Sequence, residues 1–352
     1  MNPYTGLVDS LRDVWLSGKT RPIEYRKVQL EALSCFIDER KADILRALHE
    51  DLRKPTFEAE ICDLSYIKNE VNNTLNNLSW WMKDEYVSKS LAFKLDSAFI
   101  RKVPFGVVLI IGTCNFPIHL VLVPLVGAIA AGNCAIIKPS ELSSHTERLL
   151  AEALPCYLDP DSPDFARLIN EKHFRRLQAL LDCGRVVVGG QTDESDFYIA
   201  PTVLADVKEW ESIMEEEIFG PILPIITVED MDAAIKFINR RERPLAVYAF
   251  SCDYKVVTRV LDCTSSGGFC GNDTLMHTIL ISLPFGGIGY SGMGKYHGKF
   301  SFDTFTHERG CLCRSMFMEK INRIRYPPYN NGKLGLILSF SSIKRKGLCT
   351  LL

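Results

Sequence analysis

Two short apolar runs, held apart by a third of helical length, constrain this chain more than any other feature. "FGVVLIIG" at 105–112 is apolar without alternation, and "NCAIIKPSE" at 133–141 repeats the form. Strands of that kind are expected where a sheet is covered on both faces. Between them, Pro117 to Ala131 predicts a buried crossover helix stopped by Gly132, and Pro139 stops the second strand. Two buried strands joined in this way make a right-handed parallel βαβ unit. The turn out of the first strand, "GTCNFPIHL" at 112–120, sets Asn115 where strand gives way to helix. Read locally, an asparagine there caps the helix that follows.

The flanking sequence supports an α/β chain with an N-terminal helical segment. Residues 22–50 carry Leu30, Leu33, Ile37, Ile44 and Leu48 near helical spacing, and 57–84 repeat the pattern with Ile61, Leu64, Ile67, Val71 and Leu75. "SAFIRKVP" predicts a short strand before the βαβ unit. Helices are expected at 143–157, with Leu149, Leu150 and Leu154 on one stripe, and at 166–181. "LDPDSPDF" between them reads as a loop. The third parallel strand that a βαβαβ start calls for does not follow. Instead "RVVVGG", "YIAPTVL", "PILPIITV" and "LAVYAF" alternate with helices at 230–240 and 254–263. "LPFGGIGYSGMGKYHGKFSF" then holds six glycines and reads as a packed loop lying close to something.

Composition mainly excludes. The 352 residues carry a formal net charge of −2, which offers no basic face to nucleic acid. The twelve cysteines are scattered, the nearest pair being Cys311 and Cys313, without the paired spacing of a zinc site. They read as reduced, mostly buried thiols of a cytosolic protein, Cys62 and Cys134 among them. The first residues do not read as a signal peptide, and the apolar run 117–131 is too short to span a bilayer.

Four segments, "CNFPIHLVLVPLVGAIAAGNCAIIKPSE", "EEEIFGPILP", "SSGGFCGND" and "LPFGGIGYSGMGKYHGKFSFDTFTH", resemble the aldehyde dehydrogenase superfamily, in particular its class 3 branch and lipid-associated members. The likeness covers almost the whole chain. It implies the family fold and the NAD- or NADP-dependent oxidation of fatty or lipid-derived aldehydes, in a homodimer or a heterodimer with a relative. In that chemistry a cysteine thiolate attacks the carbonyl, hydride passes to the nicotinamide, and a glutamate activates water to release the thioester. By resemblance Asn115 is the side-chain donor to the oxyanion, and Lys138 meets the adenosine ribose hydroxyls. Glu141 nearby bears on tolerance of a 2′-phosphate, Glu217 holds the nicotinamide ribose, and Phe219 packs beside the nicotinamide. The local alternatives are a helix cap for Asn115, a solvated lysine for Lys138, an acidic helix end for Glu215 to Glu217 and core for Phe219.

The resemblance breaks in one place. The family's Thr-Gly-Ser turn, its Glu-Leu-Gly-Gly segment with the general base, and its Gly-Gln-x-Cys segment with the nucleophile are all missing between "KPSE" and "EEEIFGP". The gap is on the order of 100 residues, a small domain's worth, and is expected near 155–165 as an in-frame loss. Cys114 is adjacent to Asn115, and Cys270 lies by resemblance near the family's substrate tunnel, but neither has a recognisable partner base. Uncovered apolar surface, and with it misfolding, is a further expectation. The resulting division is an N-terminal helical segment at 1–84, a truncated Rossmann-like cofactor domain at 85–160, a truncated catalytic α/β domain at 161–290, and a C-terminal segment at 291–352.

The chain ends "SIKRKGLCTLL". Cys349 is fourth from the end and the last residue is leucine, a pattern for geranylgeranylation. Lys344, Arg345 and Lys346 just upstream supply the second signal that stable anchoring needs. The expectation is a cytoplasmic protein held at the plasma membrane or a lipid droplet. Two readings follow from the sequence: an impaired aldehyde dehydrogenase, or a non-catalytic, membrane-anchored isoform paired with a full-length relative.

Overall fold

The structure, a computed structural model, describes residues 5–89, 96–158, 171–194, 197–314, 323–328 and 330–341. Helices come first: α1 (Thr5–Leu16), α2 (Ile23–Glu39), α3 (Lys41–Leu52), α4 (Thr56–Ala59) and α5 (Tyr66–Trp81). The single helix expected over 22–50 is two. Arg40 leaves the helical region at φ −98°, ψ 12°, and no glycine or proline marks that break in the sequence. A π-helical turn, Glu60–Ser65, joins α4 to α5.

Next come β1 (Glu85–Tyr86), β2 (Ser97–Pro104), β3 (Val107–Ile111), α6 (His119–Ala131), β4 (Cys134–Lys138) and α7 (Ser144–Ala153). Strands β3 and β4 pair in parallel, from Val107 against Cys134 to Ile111 against Lys138, so the predicted βαβ unit is present. Helix α6 is apolar all round and almost wholly buried. Gly132, at φ +89°, ends it in the left-handed conformation, and a Cβ there would collide with the Arg26 guanidinium. The large core gathers α2, α3, α5, α6 and the inward residues of the two strands.

One expectation about this unit is overturned. The β3 run is not covered on both faces. Ile110 is buried, but Leu109 and Ile111 are 57% and 62% exposed. The two strands form a sheet of their own. Helix α6 covers one side, and on the other Leu109 and Ile111 are exposed.

The second half contains α8 (Glu171–Leu180), β5 (Arg185–Val188), β6 (Thr192–Asp193), β7 (Tyr198–Ile199), β8 (Thr202–Ala205), β9 (Ile222–Pro224), α9 (Met231–Asn239), β10 (Ala246–Ala249), α10 (Tyr254–Cys263), β11 (Gly268–Gly271), α11 (Met276–Ile279), α12 (Gly298–Thr304), β12 (Thr306–Cys313) and α13 (Asn331–Ser341). Its strands form small separate sheets, ordered β5-β8-β9, β6-β7 and β10-β11, over two small hydrophobic clusters. All three valines of β5 are exposed. Strand β12 returns to the first half and pairs antiparallel with β2 along its whole length, at the edge of the sheet β1-β2-β12.

The cysteines correct another expectation. None of those described forms a disulfide, and Cys134 alone among them is buried. Cys62 is half-buried, and Cys35, Cys156, Cys252, Cys263 and Cys313 are exposed. No described helix is long and apolar enough to cross a membrane. Cys349 and the basic residues 344–346 lie outside the described residues, as does the expected junction between Leu158 and Glu171.

Candidate active site

Parallel strands present ligands at their C-terminal ends, because there the loops leave the sheet and helix N-termini face it. In this chain that edge is formed by Ile111 and Lys138, adjacent in register and tied by the Gly112 amide, which donates to the Lys138 carbonyl at 2.8 Å. Only glycine fits at 112, since a Cβ would lie 2.4 Å from a methyl of Val121. The chain can therefore turn tightly against α6 and bring Thr113 to Phe116 over the edge.

Asn115 sits exposed in that turn. The residue flanking the helix is Ile118, without a side-chain cap, so the local capping alternative for Asn115 does not hold. Instead the Thr113 hydroxyl donates to Asn115 Oδ1 at 2.6 Å. With its oxygen engaged, the Nδ2 donors have no partner among the described residues. An oxyanion donor has this form: oriented, neutral and unspent.

The turn is clamped from behind. The Lys54 ammonium lies 4.0 Å from the centroid of the Phe116 ring and donates to buried Asp63 at 2.5 Å. His119, at the start of α6, bonds through Nδ1 to the Cys62 carbonyl at 2.8 Å, and its ring is 4.5 Å from that of Tyr66. Burial pushes the Asp63 carboxyl up and the Lys54 charge draws it back, while burial lowers His119 to about 4. The π-helical turn carries Cys62 and Asp63, so this irregularity meets the Asn115 turn from the opposite side. Sequence reading did not find this clamp, because its members come from three separate stretches.

Lys138 and Glu141 share the same edge as an ion pair, and the Lys138 ammonium also donates to the Pro139 carbonyl at 3.2 Å. Both side chains stay about two-fifths exposed, so the pair leaves the alternative of a solvated lysine open. The hydrogen bond from Lys138, helped by its charge, holds the Glu141 carboxyl below its ordinary range. Asn115, Lys138 and Glu141 thus all lie in the segments that leave the C-terminal ends of β3 and β4.

Cys114 is half-buried beside Asn115, and its carbonyl accepts from the Ser143 hydroxyl at 3.3 Å. Burial pushes its thiol up, and the charge of Glu141 adds to the rise. A thiol shifted in that direction is a poor nucleophile. Cys270 lies in β11, opposite Tyr248 of β10, and no hydrogen bond joins it to a base among the described residues. Strand β11 itself was not expected, since its residues include two glycines and its pairing is with a distant strand.

Glu217 and Phe219 lie in the second half, in the loop before β9. Arg176 of α8 anchors that loop through the Ile218 carbonyl at 2.6 Å and through Glu216 at 3.2 Å. Glu217 is exposed and without a partner among the described residues. The core alternative for Phe219 is overturned, since its side chain is 58% exposed. Its backbone is left-handed at φ +48°, a conformation a phenylalanine adopts only under constraint. No hydrogen bond or ion pair among the described residues joins either residue to the Asn115 edge. A cavity of about 70 Å³ lies elsewhere, lined by Leu11, Tyr25, Gln29, Asn133 and Cys134, at the opposite end of β4.

Comparison with known proteins yields a consistent set of likenesses. A profile described as "Aldehyde dehydrogenase family" matches residues 15–161 and 157–310. Aldehyde dehydrogenase family 3 member B1 of Bos taurus is 44% identical over 469 aligned positions, covering 100% of both chains. Aldehyde dehydrogenase family 3 member A2 of Pongo abelii is 38% identical, over 93% of this chain and 92% of that one. Among solved structures, the substrate-bound AldH of Staphylococcus aureus superposes with a TM-score of 0.90 at 31% identity, covering 97% of this chain and 100% of that one. The NADP-dependent glyceraldehyde-3-phosphate dehydrogenase of Bacillus halodurans, complexed with NADP, gives 0.75 at 19% identity over 88% and 90%, a likeness of fold.

Proposed function

The chain belongs to the aldehyde dehydrogenase family, whose reaction is the NAD(P)-dependent oxidation of aldehydes, and within it we infer a catalytically impaired member anchored to membranes by a lipid on Cys349. One observation carries the reading. The Asn115 amide is oriented to receive a negative oxygen, yet the sulfur beside it belongs to Cys114, whose burial keeps it a thiol. Loss of the nucleophile typically removes a factor of ~10⁴–10⁶ in rate.

Each site residue has a share in this reading. Asn115 donates to an aldehyde oxygen or to a carboxylate. Lys138 would bind the adenosine ribose of NAD or NADP with donors its exposed pair to Glu141 leaves over, and the weakened binding proposed here follows from the lost part of the cofactor domain. The Glu141 carboxylate opposes a 2′-phosphate at the same place. Glu217 is free to accept from the nicotinamide ribose, and exposed Phe219 offers a face to the nicotinamide. When bound, the dinucleotide supplies the hydride acceptor. The division at residues 84, 160 and 290 belongs to the same reading.

An in-frame loss near residues 155–165 is supported by three facts. The alignment to the bovine relative runs over 469 positions against 352 residues, leaving on the order of 100 positions of the relative without a counterpart. The family profile matches in two stretches that meet at 157–161. Leu109 and Ile111 on the outer face of β3 are exposed. Sequencing the transcript across codons 155–165 tests it, and an uninterrupted message encoding the missing segment contradicts it.

The non-catalytic, paired form of this reading is favoured by the bare strands β3 and β5, which a full-length relative or a second copy would cover. The test is NAD(P)H formation by purified protein given a long-chain aldehyde, with Cys114→Ala and Cys270→Ala alongside. No turnover is expected in any of the three; turnover abolished by one substitution overturns the reading. Mass spectrometry of the cellular protein is expected to find Cys349 prenylated, and an unmodified Leu352 terminus rejects the anchor.

A further inference from the structure

We propose that Arg176 of α8 is a positioning residue: resting on the ribose reading of Glu217 given above, it fixes the Glu217 carboxylate for the second ribose of a dinucleotide. The loop "EEEIFGP" at 215–221 is gripped by α8 at alternate residues. The Arg176 guanidinium donates through Nη1 to the Glu216 carboxylate at 3.2 Å and through Nη2 to the Ile218 carbonyl at 2.6 Å. One residue further along α8, Leu177 packs on Gly220, where a Cβ would lie 2.6 Å from a Leu177 methyl carbon. The Ile218 side chain joins Leu177 and Leu180 over the small core around Leu204 and Ile213. Residues 216, 218 and 220 are thereby held to α8. Glu217 and Phe219, the two that the family resemblance assigns to the cofactor, alternate with them and are exposed.

A carboxylate that accepts from ribose hydroxyls works best with its backbone fixed beforehand and its oxygens unspent. Arg176 supplies both conditions, because its two contacts fall on either side of Glu217. Of the three consecutive carboxylates at 215–217, it takes that of Glu216 and leaves that of Glu217. The ion pair itself contributes little, since the Glu216 side chain is 70% exposed. The contact with the Ile218 carbonyl is half-buried and charge-assisted, and it carries the positioning. It also steadies Phe219, whose left-handed backbone at φ +48° persists only where neighbours hold it.

The upstream side of the acidic run has its own clamp. Arg241 donates to the Met214 carbonyl at 2.6 Å and to the Glu209 carbonyl at 2.9 Å, and its guanidinium lies 4.6 Å from the centroid of the Phe237 ring. The run thus leaves one arginine at Met214 and meets the next at Glu216. Arg176 is the nearer of the two to Glu217. The planar fork of an arginine reaches both of its acceptors at once, which the single ammonium of a lysine does less well.

The experiment is calorimetric titration of the purified full-length protein with ADP and with ADP-ribose, which differ by the second ribose. Glu217→Gln and Arg176→Gln are each expected to weaken ADP-ribose by about tenfold while leaving ADP within about twofold. Arg176→Lys recovers part of the loss. In the Glu217→Gln background, Arg176→Gln has no further effect, because it acts through Glu217. Arg185→Gln removes an equal charge, one held by Asp206, and leaves both affinities unchanged. Circular dichroism checks the fold of each variant. If Arg176→Gln does not fold, Arg176→Lys carries the test, and an undiminished affinity for ADP-ribose there overturns the role. A selective loss in Glu217→Gln without one in Arg176→Gln overturns the positioning, as does a further loss in the double variant. No selective loss in Glu217→Gln, or no binding of either ligand by the parent, overturns the ribose reading itself and the inference with it.

Discussion

Asn115 keeps its donors free because Thr113 occupies its oxygen, and the helix behind it starts without its help. The two roles open to an asparagine at that position differ in energy. A cap replaced by alanine costs about 1 kcal/mol, whereas an exposed residue outside any cap stays within about 0.5 kcal/mol. Asn115→Ala is expected to leave the urea midpoint unchanged, and a loss near the cap value contradicts the placement. Glu70 gives a second test at this scale. Its carboxylate is fully buried in α5 and accepts from the Gly298 amide at 2.5 Å and from the Ser301 hydroxyl. His297 beside it bonds Tyr66 at 3.1 Å. Burial raises Glu70 from 4.5 to about 7 and lowers His119 and His297 from 6.5 to about 4. The signs are opposite. The Glu70 contribution to stability is full below pH 4.5 and is lost as the pH rises through 7, while that of the histidines is full above 6.5 and is lost as the pH falls through 4. Glu70→Gln keeps the acceptor oxygen and removes the titration. It is expected to be more stable than the parent at pH 8 by about 1–3 kcal/mol and equal to it at pH 4.5. An equal stability change at both pH values contradicts the assignment.

At the scale of elements, β3 determines how the chain behaves in solution. Its inward residues join the large core, while Leu109 and Ile111 face water with no described element over them. Exposed apolar strand surface promotes association. Leu109→Thr with Ile111→Thr is expected to reduce dye-reported apolar surface and aggregation, at a stability cost below about 1 kcal/mol. Unfolding by that pair would mean the face is covered. The βαβ unit itself was legible, because an apolar helix between two apolar strands admits few arrangements. The coverage was not: periodicity reports what a strand would bury, and the segment that would cover it is not among the described residues. The break at Arg40 was silent for lack of a breaker residue, and β11 for lack of an apolar run. Strand β12, paired with β2 some 200 residues away in sequence, depends on register that local pattern does not carry. The same holds for Glu70 and Gly298, and for Tyr66 and His297.

For the whole molecule, the aldehyde dehydrogenase fold is shown, and we propose that it keeps an oxyanion donor in Asn115, a cofactor lysine in Lys138 and a lipid anchor at Cys349, without a thiolate to begin the reaction. The long resemblance made the family legible, while local reading of Asn115 alone favoured a helix cap. The most direct measurement is the intact mass of the purified protein after incubation with a long-chain aldehyde and NAD or NADP, followed by acid quench. The account expects an unshifted mass for every molecule. A population heavier by one acyl group, mapped to Cys114 or Cys270 and absent without dinucleotide, would contradict it.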